Sequence, residues 1–311
     1  MERPIAVIVG LLGITLNVVA PVFLMAGVGF LVRRTLAIDV RAVARLALYI
    51  FVPSLLLNSL LTATMGGQEM LRIALFAVLL TAILIGLGTL AARAFGLSRS
   101  EASGMTLSLA FVNAANYGLP VTFFAFGQDG FDRAVIFAAF ASILLFTVAV
   151  PVAAGGKLPW RDAVVPMVRL PVIWVAVAAG LLRMLGMELP PVIQRSVTVL
   201  SGGAIPIVII LLGMQVASLR LQGVGLPLVA TCLGRLILSP AIGLVLVSLL
   251  QPSPLTGKVL VLEAAMPTAV NVTLLASEFD AEPDLVSSVA LVTTALSVVT
   301  ITGWVAFLQA L

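Results

Sequence analysis

The chain alternates between long apolar runs and short polar breaks along its whole length. The apolar runs lie near residues 8–32, 43–62, 71–92, 102–127, 134–154, 170–187, 191–217, 224–250, 256–277 and 285–309. A helix needs roughly 20 apolar residues to cross the hydrocarbon core of a bilayer, and the runs are close to that length. The pattern therefore predicts an all-α integral membrane protein with ten transmembrane helices.

The composition agrees with this pattern and removes several other classes. Hydrophobic residues make up 61% of the 311 residues and charged residues only 10%, which excludes an ordinary water-soluble domain. We expect a single membrane domain over residues 1–311, whose first apolar run is an uncleaved span. The chain has one cysteine and no histidine. We therefore expect no disulfide framework, no metal site, no cofactor and no catalytic residues.

The positive charges indicate membrane topology. The net charge of +4 would suggest a nucleic-acid partner in a soluble protein, but the Lys and Arg residues stand mostly in loops between apolar runs. If the chain has ten spans, six Lys and Arg residues fall on the side of the two termini and ten on the other side. The richer side is expected in the cytoplasm. This predicts a multi-pass protein of the bacterial inner membrane with both termini in the periplasm, and no nucleic-acid partner.

Self-alignment of the chain indicates an internal repeat. The segment Pro120–Val135 matches Asn271–Val286 at an offset of 151 residues, with identical Val, Thr, Ala and Asp positions. We predict one repeat over residues 1–154 (helices 1–5), a cytoplasmic linker over 155–169, and a second repeat over 170–311 (helices 6–10). Because each repeat holds an odd number of spans, the second enters the membrane inverted. Inverted repeats are typical of secondary transporters.

The fourth and ninth runs carry an unusual set of residues, Asn113, Asn116, Pro120, Glu263, Pro267 and Asn271. At the 151-residue offset, Asn116 falls on Pro267 and Pro120 on Asn271. A proline in mid-span frees carbonyls that lipid cannot satisfy. One interpretation is that each proline only kinks its helix. The other is that two broken helices cross at mid-membrane, where their positive starts would bind an anion.

Glu263 and two more residues, Arg235 and Asn58, are costly at their positions in apolar runs. Glu263 is a candidate ion-coupling site, or else a structural partner for Arg235. The alternatives for Arg235 are to balance Glu263, to contact an anionic substrate or to reach toward the cytoplasmic interface. Asn58 is a candidate for the substrate cavity, although an amide that bonds a neighbouring helix is an equal alternative.

The segments NAANYGLPVTFFAFG, EAAMPTAVN and TTALSVVTITG resemble the auxin efflux carrier family, whose bacterial members are described as permeases for malate, malonate and related acids. The resemblance implies ten helices in two inverted repeats, with a fold related to the bile acid sodium symporters. It implies that Pro120 and Pro267 are the crossover prolines. The substrate-binding residues would be Asn113, Asn116, Tyr117, Thr268, Asn271 and Asn58.

These observations predict a secondary active transporter of a small organic anion that works by an elevator-type movement. Spans one, two, six and seven would form a scaffold, and the other spans a mobile unit. Sodium coupling, proton coupling and uniport are left open, as is a homodimer. The alternatives are a sodium-coupled bile-acid-type symporter and a channel. A membrane-embedded enzyme is disfavoured, because the sequence offers no convergent set of acid and base.

Overall fold

The computed structural model describes residues 9–36, 38–63, 65–155 and 171–311. In these ranges the regular structure is helical, apart from one isolated bridge between two residues. With their π-helical turns included, the helices are α1 Val9–Thr35, α2 Val40–Thr62, α3 Gly67–Ala94, α4 Arg99–Ala110, α5 Ala114–Thr147, α6 Ala149–Ala153, α7 Pro171–Leu185, α8 Pro191–Val216, α9 Leu226–Leu250, α10 Pro254–Ala264, α11 Val272–Phe279 and α12 Pro283–Ala310.

Within the described ranges, seven helices are long and apolar enough to cross a membrane, and α7 is a shorter apolar helix. The prediction of an all-α, multi-pass membrane protein is therefore confirmed. Apart from Gly155, the predicted linker lies outside the described residues.

Two of the predicted spans are interrupted. The run near 102–127 is divided by residues 111–113, which lie between α4 and α5, and the run near 256–277 is divided by residues 265–271, between α10 and α11. A further division lies within α5 at Gly127, which has φ 66° and ψ −162°. Glycine adopts such a positive φ without steric cost. This glycine stands where the fourth predicted run ends.

Four helices contain a π-helical turn two residues ahead of a proline. The turns are Thr15–Val19, Ala47–Phe51, Ala114–Gly118 and Gly234–Leu238, and the prolines that follow them are Pro21, Pro53, Pro120 and Pro240. A proline lacks the N–H for a normal helical bond and its ring crowds the preceding turn, so a wider turn accommodates it. The prediction that Pro120 breaks the fourth span is therefore wrong. The interruption lies earlier, at residues 111–113.

Helices α1 and α8 pack backbone against backbone. A Cβ atom added at Gly213 of α8 would lie 1.8 Å from the carbonyl oxygen of Ala26, and one added at Gly29 of α1 would lie 2.1 Å from that of Ile210. Small residues permit this approach, as is common between helices in membranes. The pairing fixes the position of the carboxyl end of α8, which carries a residue of the site described next.

Candidate functional site

The two interruptions meet each other and form a crossing, which we define as residues 111–113 and 265–271. The N–H of Asn113 donates to the carbonyl of Pro267, and the N–H of Ala269 donates to the carbonyl of Phe111, both at 2.9 Å. Val112 and Thr268 thus lie opposite each other in an antiparallel bridge. Because lipid offers no partners to free backbone groups, each interruption satisfies the other.

The two backbone bonds are related by the local two-fold symmetry that any antiparallel bridge has. The bridge therefore does not test the 151-residue offset read from the sequence.

Arg235 lies at the carboxyl ends of two helices. Its side chain is fully buried, and its guanidinium donates to the carbonyls of Leu109 in α4 and Ala264 in α10, each at 2.6 Å. It also donates to the hydroxyl of Ser239. The alternative ion pair between Arg235 and Glu263 is not formed, and the only ion pair in the described part of the chain joins Arg72 to Glu69 at 3.4 Å. Arg235 does not reach the cytoplasmic interface either.

Glu263 is the penultimate residue of α10, and its carboxyl group lies against α5. The side chain is fully buried, and Oε1 accepts a hydrogen bond of 2.9 Å from the hydroxyl of Thr122. Oε2 has no hydrogen-bond partner among the described residues. A Cβ added at Gly118 would lie 2.2 Å from Oε2, so the absence of a side chain at that glycine makes room for the carboxyl group.

A chain of three side-chain amides joins the crossing to α8, and we call it the amide chain. Asn116 donates to Oε1 of Gln215 at 3.1 Å, and Nε2 of Gln215 donates to Oδ1 of Asn271 at 2.9 Å. Asn116 and Asn271 are thus brought together, as expected, but only through Gln215. Gln215 is not among the residues predicted from the sequence, although an amide within an apolar run is costly and is itself a signal.

The other predicted substrate residues at the crossing differ in their roles. Asn113 is buried, and its Nδ2 has no hydrogen-bond partner among the described residues. The hydroxyl of Thr268 donates to the carbonyl of Ser108 at 2.7 Å, so this residue braces the crossing. Tyr117 accepts a hydrogen bond of 2.8 Å from Ser297 and lines a separate, mainly apolar pocket of about 180 Å³.

Asn58 is not brought to the crossing by its contacts. Its Oδ1 accepts long hydrogen bonds from Gln194, at 3.5 Å, and from Thr198, at 3.4 Å, both in the first part of α8. This is the alternative in which an amide bonds a neighbouring helix.

A second buried carboxyl group in the described helices is not among the residues predicted from the sequence. Asp132 of α5 is largely buried, and its Oδ1 accepts hydrogen bonds from Ser59 of α2, at 3.0 Å, and from Gln128, at 2.9 Å. Its polar sequence surroundings, with Asp129 and Arg133 nearby, suggested a solvated loop. This group joins α2 to α5 and is not part of the crossing.

The amide chain opens into a polar cavity of about 450 Å³. Gln215 and Asn271 line it, together with the start of α11, and three arginines line it nearer the surface, namely Arg33, Arg41 and Arg220. Asp39 and Asp284 also face it. The cavity therefore presents amide donors, a positive helix start and an excess of basic side chains to one space.

Two interrupted helices that cross inside a bundle of apolar helices, beside a polar cavity, define a class of protein. This is the arrangement of secondary transporters, which bind substrates and ions at discontinuous helices.

Comparison with known proteins agrees with this class. The sequence profile of a family described as membrane transport protein matches residues 160–305. An uncharacterized transporter of Methanothermobacter thermautotrophicus is 30% identical over 275 residues, which is 86% of this chain and 88% of the relative. An uncharacterized transporter of Methanocaldococcus jannaschii is 27% identical over 218 residues, 68% of this chain and 70% of the relative. The chain belongs to this family of membrane transport proteins, the auxin efflux carrier family.

Proposed function

We propose that the protein is a secondary active transporter that carries a small organic anion, such as a di- or monocarboxylate, through the crossing. The helices are grouped as ten spans in two inverted repeats of five, with α4 and the first part of α5 as span four, and α10 with α11 as span nine. The meeting of two interruptions, one in each half of the chain, supports this grouping.

The substrate site is proposed at the inner end of the polar cavity. The observation that carries this proposal is the amide chain, because it places Gln215 and Asn271 beside the start of α11 in a cavity lined by three arginines. A helix start carries a partial positive charge and favours an anion. The amide groups would orient the carboxylate, and the arginines would attract it.

Gln215→Ala tests the site, because it removes the middle of the amide chain. Equilibrium binding of labelled malate and malonate to the purified protein should weaken by about 5- to 100-fold, the equivalent of about 1–3 kcal/mol for a lost buried partner. The matched control is Gln194→Ala on the same helix, which lies away from the cavity and should bind both anions normally. Equal affinity of the two variants would move the substrate site elsewhere.

An elevator-type movement follows from the same grouping. Helices α1, α2, α7 and α8 are the proposed scaffold, and the remaining helices are the mobile unit. The bonds of Gln215 to Asn116 and Asn271 then join scaffold to mobile unit, as does the bond between Ser59 and Asp132. Movement would exchange these bonds and expose the crossing to the other side of the membrane.

The orientation is proposed from the charges. The mouth of the polar cavity lies with Arg33, Arg41 and Arg220, on the side that we assign to the cytoplasm of the inner membrane. Both termini would then lie outside the cytoplasm. A reporter that is active only in the cytoplasm, fused after Leu311, should therefore be silent. Strong activity there would reverse the orientation.

Coupling is proposed at Glu263. Its Oε2 is buried without a hydrogen-bond partner among the described residues, and a carboxylate so placed is costly unless a proton or a monovalent cation neutralises it. This group would therefore bind the coupling proton or sodium ion.

A further inference from the structure

We propose that Arg235 is a positioning residue, a fixed cation that neutralises the carboxyl ends of α4 and α10 and so holds the two interrupted helices in their crossing. The inference does not depend on which substrate is carried, or on whether the polar cavity binds it.

Both helices end inside the bundle, which creates a problem that Arg235 solves. The last carbonyls of a helix have no partner within it, and they carry a partial negative charge. Where a helix ends away from water, these groups must find donors in the protein. The guanidinium donates to Leu109 at the end of α4 and to Ala264 at the end of α10. One side chain thus bridges the two helix ends.

The charge of Arg235 is balanced by these helix ends. A buried cation is costly unless it is compensated, and no ion pair to Arg235 exists in the described part of the chain. Its partners are two carbonyls and the hydroxyl of Ser239, which also donates to Ala264 at 2.8 Å. Two negative helix ends and one cation therefore neutralise each other.

The local backbone is shaped to deliver the guanidinium. Arg235 lies in the π-helical turn Gly234–Leu238 of α9. A Cβ atom added at Gly234 would lie 2.8 Å from a methyl carbon of Leu109, so the glycine lets α9 approach the end of α4. The planar guanidinium has five donors in a fixed fork and can reach two carbonyls at once, and a lysine ammonium keeps the charge without this fork.

A pair of cysteines can report on the crossing directly. Val112 and Thr268 form a non-hydrogen-bonded pair of the antiparallel bridge, with one backbone bond on each side of them. Facing side chains are closest in such pairs. In a Cys232→Ala background, the double variant Val112→Cys and Thr268→Cys should therefore form a disulfide readily. Its rate of formation measures how well the crossing is held.

Adding Arg235→Ala to this reporter should slow disulfide formation by about tenfold, because both helix ends lose their donor. Guanidinium chloride at about 10 mM should restore the rate by binding in the place of the lost side chain, whereas the same concentration of urea, which is neutral and of similar shape, should not. The control is Phe76→Ala, which opens a buried space in the middle of α3, away from either helix end, and guanidinium should leave its rate unchanged.

Three results would overturn the proposal. They are an unchanged rate in Arg235→Ala, no restoration by guanidinium, and equal restoration by urea, which would show that volume matters and charge does not.

If Arg235→Ala does not accumulate, Arg235→Lys and Arg235→Met are compared by yield in the membrane. A folded Lys variant beside a lost Met variant supports the proposal, and equal yields contradict it. None of these measurements uses substrate, so they can contradict the proposal for Arg235 without bearing on the proposed substrate site.

Discussion

Replacing Gly213 by Ala is expected to destabilise the protein by about 3 kcal/mol, the upper end of the usual cost of overpacking. The added Cβ would lie 1.8 Å from the carbonyl oxygen of Ala26 and 2.8 Å from the amide nitrogen of Phe30, both backbone atoms of α1. Neither atom can rotate away, so α1 and α8 must separate. Thermal unfolding of the purified protein in detergent measures the loss, and Gly29→Ala should give a loss of similar size.

The matched control for this prediction is Gly27→Ala in α1, where no described residue lies within 4 Å of an added Cβ. This variant should be as stable as the parent or slightly more so, since Ala favours a helix over Gly by up to about 1 kcal/mol. Equal unfolding temperatures for Gly213→Ala and Gly27→Ala would show that the helices do not pack this closely. The packing bears on the proposed substrate site, because Gln215 follows Gly213 by only two residues.

The membrane class and most helix positions could be predicted from the sequence, for a physical reason. In lipid, backbone groups must be satisfied within the chain, so a long apolar run has few choices other than a helix. The predicted runs near 43–62 and 191–217 correspond to α2, Val40–Thr62, and α8, Pro191–Val216. Such agreement requires only local hydropathy.

The position of the crossing could not be predicted in the same way. The prolines are the sequence feature that suggests a break, yet Pro120 follows a π-helical turn and leaves the helix continuous. Residues 111–113 contain no proline. They leave the helix because their backbone groups bond to Pro267 and Ala269, more than a hundred residues away. A tertiary contact thus overrides local propensity, and no local pattern reveals it.

The candidate site was predicted in part, and the missing residue shows why. Asn116 and Asn271 were recognised because amides beside prolines are conspicuous in apolar runs. Gln215 stands alone near the end of α8, and its importance depends on its hydrogen bonds to both other amides. Arg235 was recognised as costly, but its role as the donor to two helix ends required the positions of Leu109 and Ala264.

Replacing Glu263 by Gln is expected to separate ion coupling from substrate exchange. The amide has nearly the same shape and can still accept the hydrogen bond from Thr122, so the protein should fold. It cannot release a proton or neutralise a bound cation. In proteoliposomes, malate or malonate uptake driven by a proton or sodium gradient should therefore fall by about 10- to 100-fold, a usual size for coupling between two sites. Counterflow of the same anion, which needs no gradient, should persist.

The comparison that decides this prediction is Asp132→Asn. This variant neutralises the second carboxyl group that is buried in the described helices, which lies between α2 and α5. Because that group is bonded to Ser59 and Gln128 and lies outside the crossing, gradient-driven uptake should be retained when it is neutralised. Coupled uptake at the parent rate in Glu263→Gln would show that its carboxyl group is structural. Loss of coupled uptake in Asp132→Asn alone would instead place the ion between α2 and α5, where the proposed scaffold and mobile unit meet.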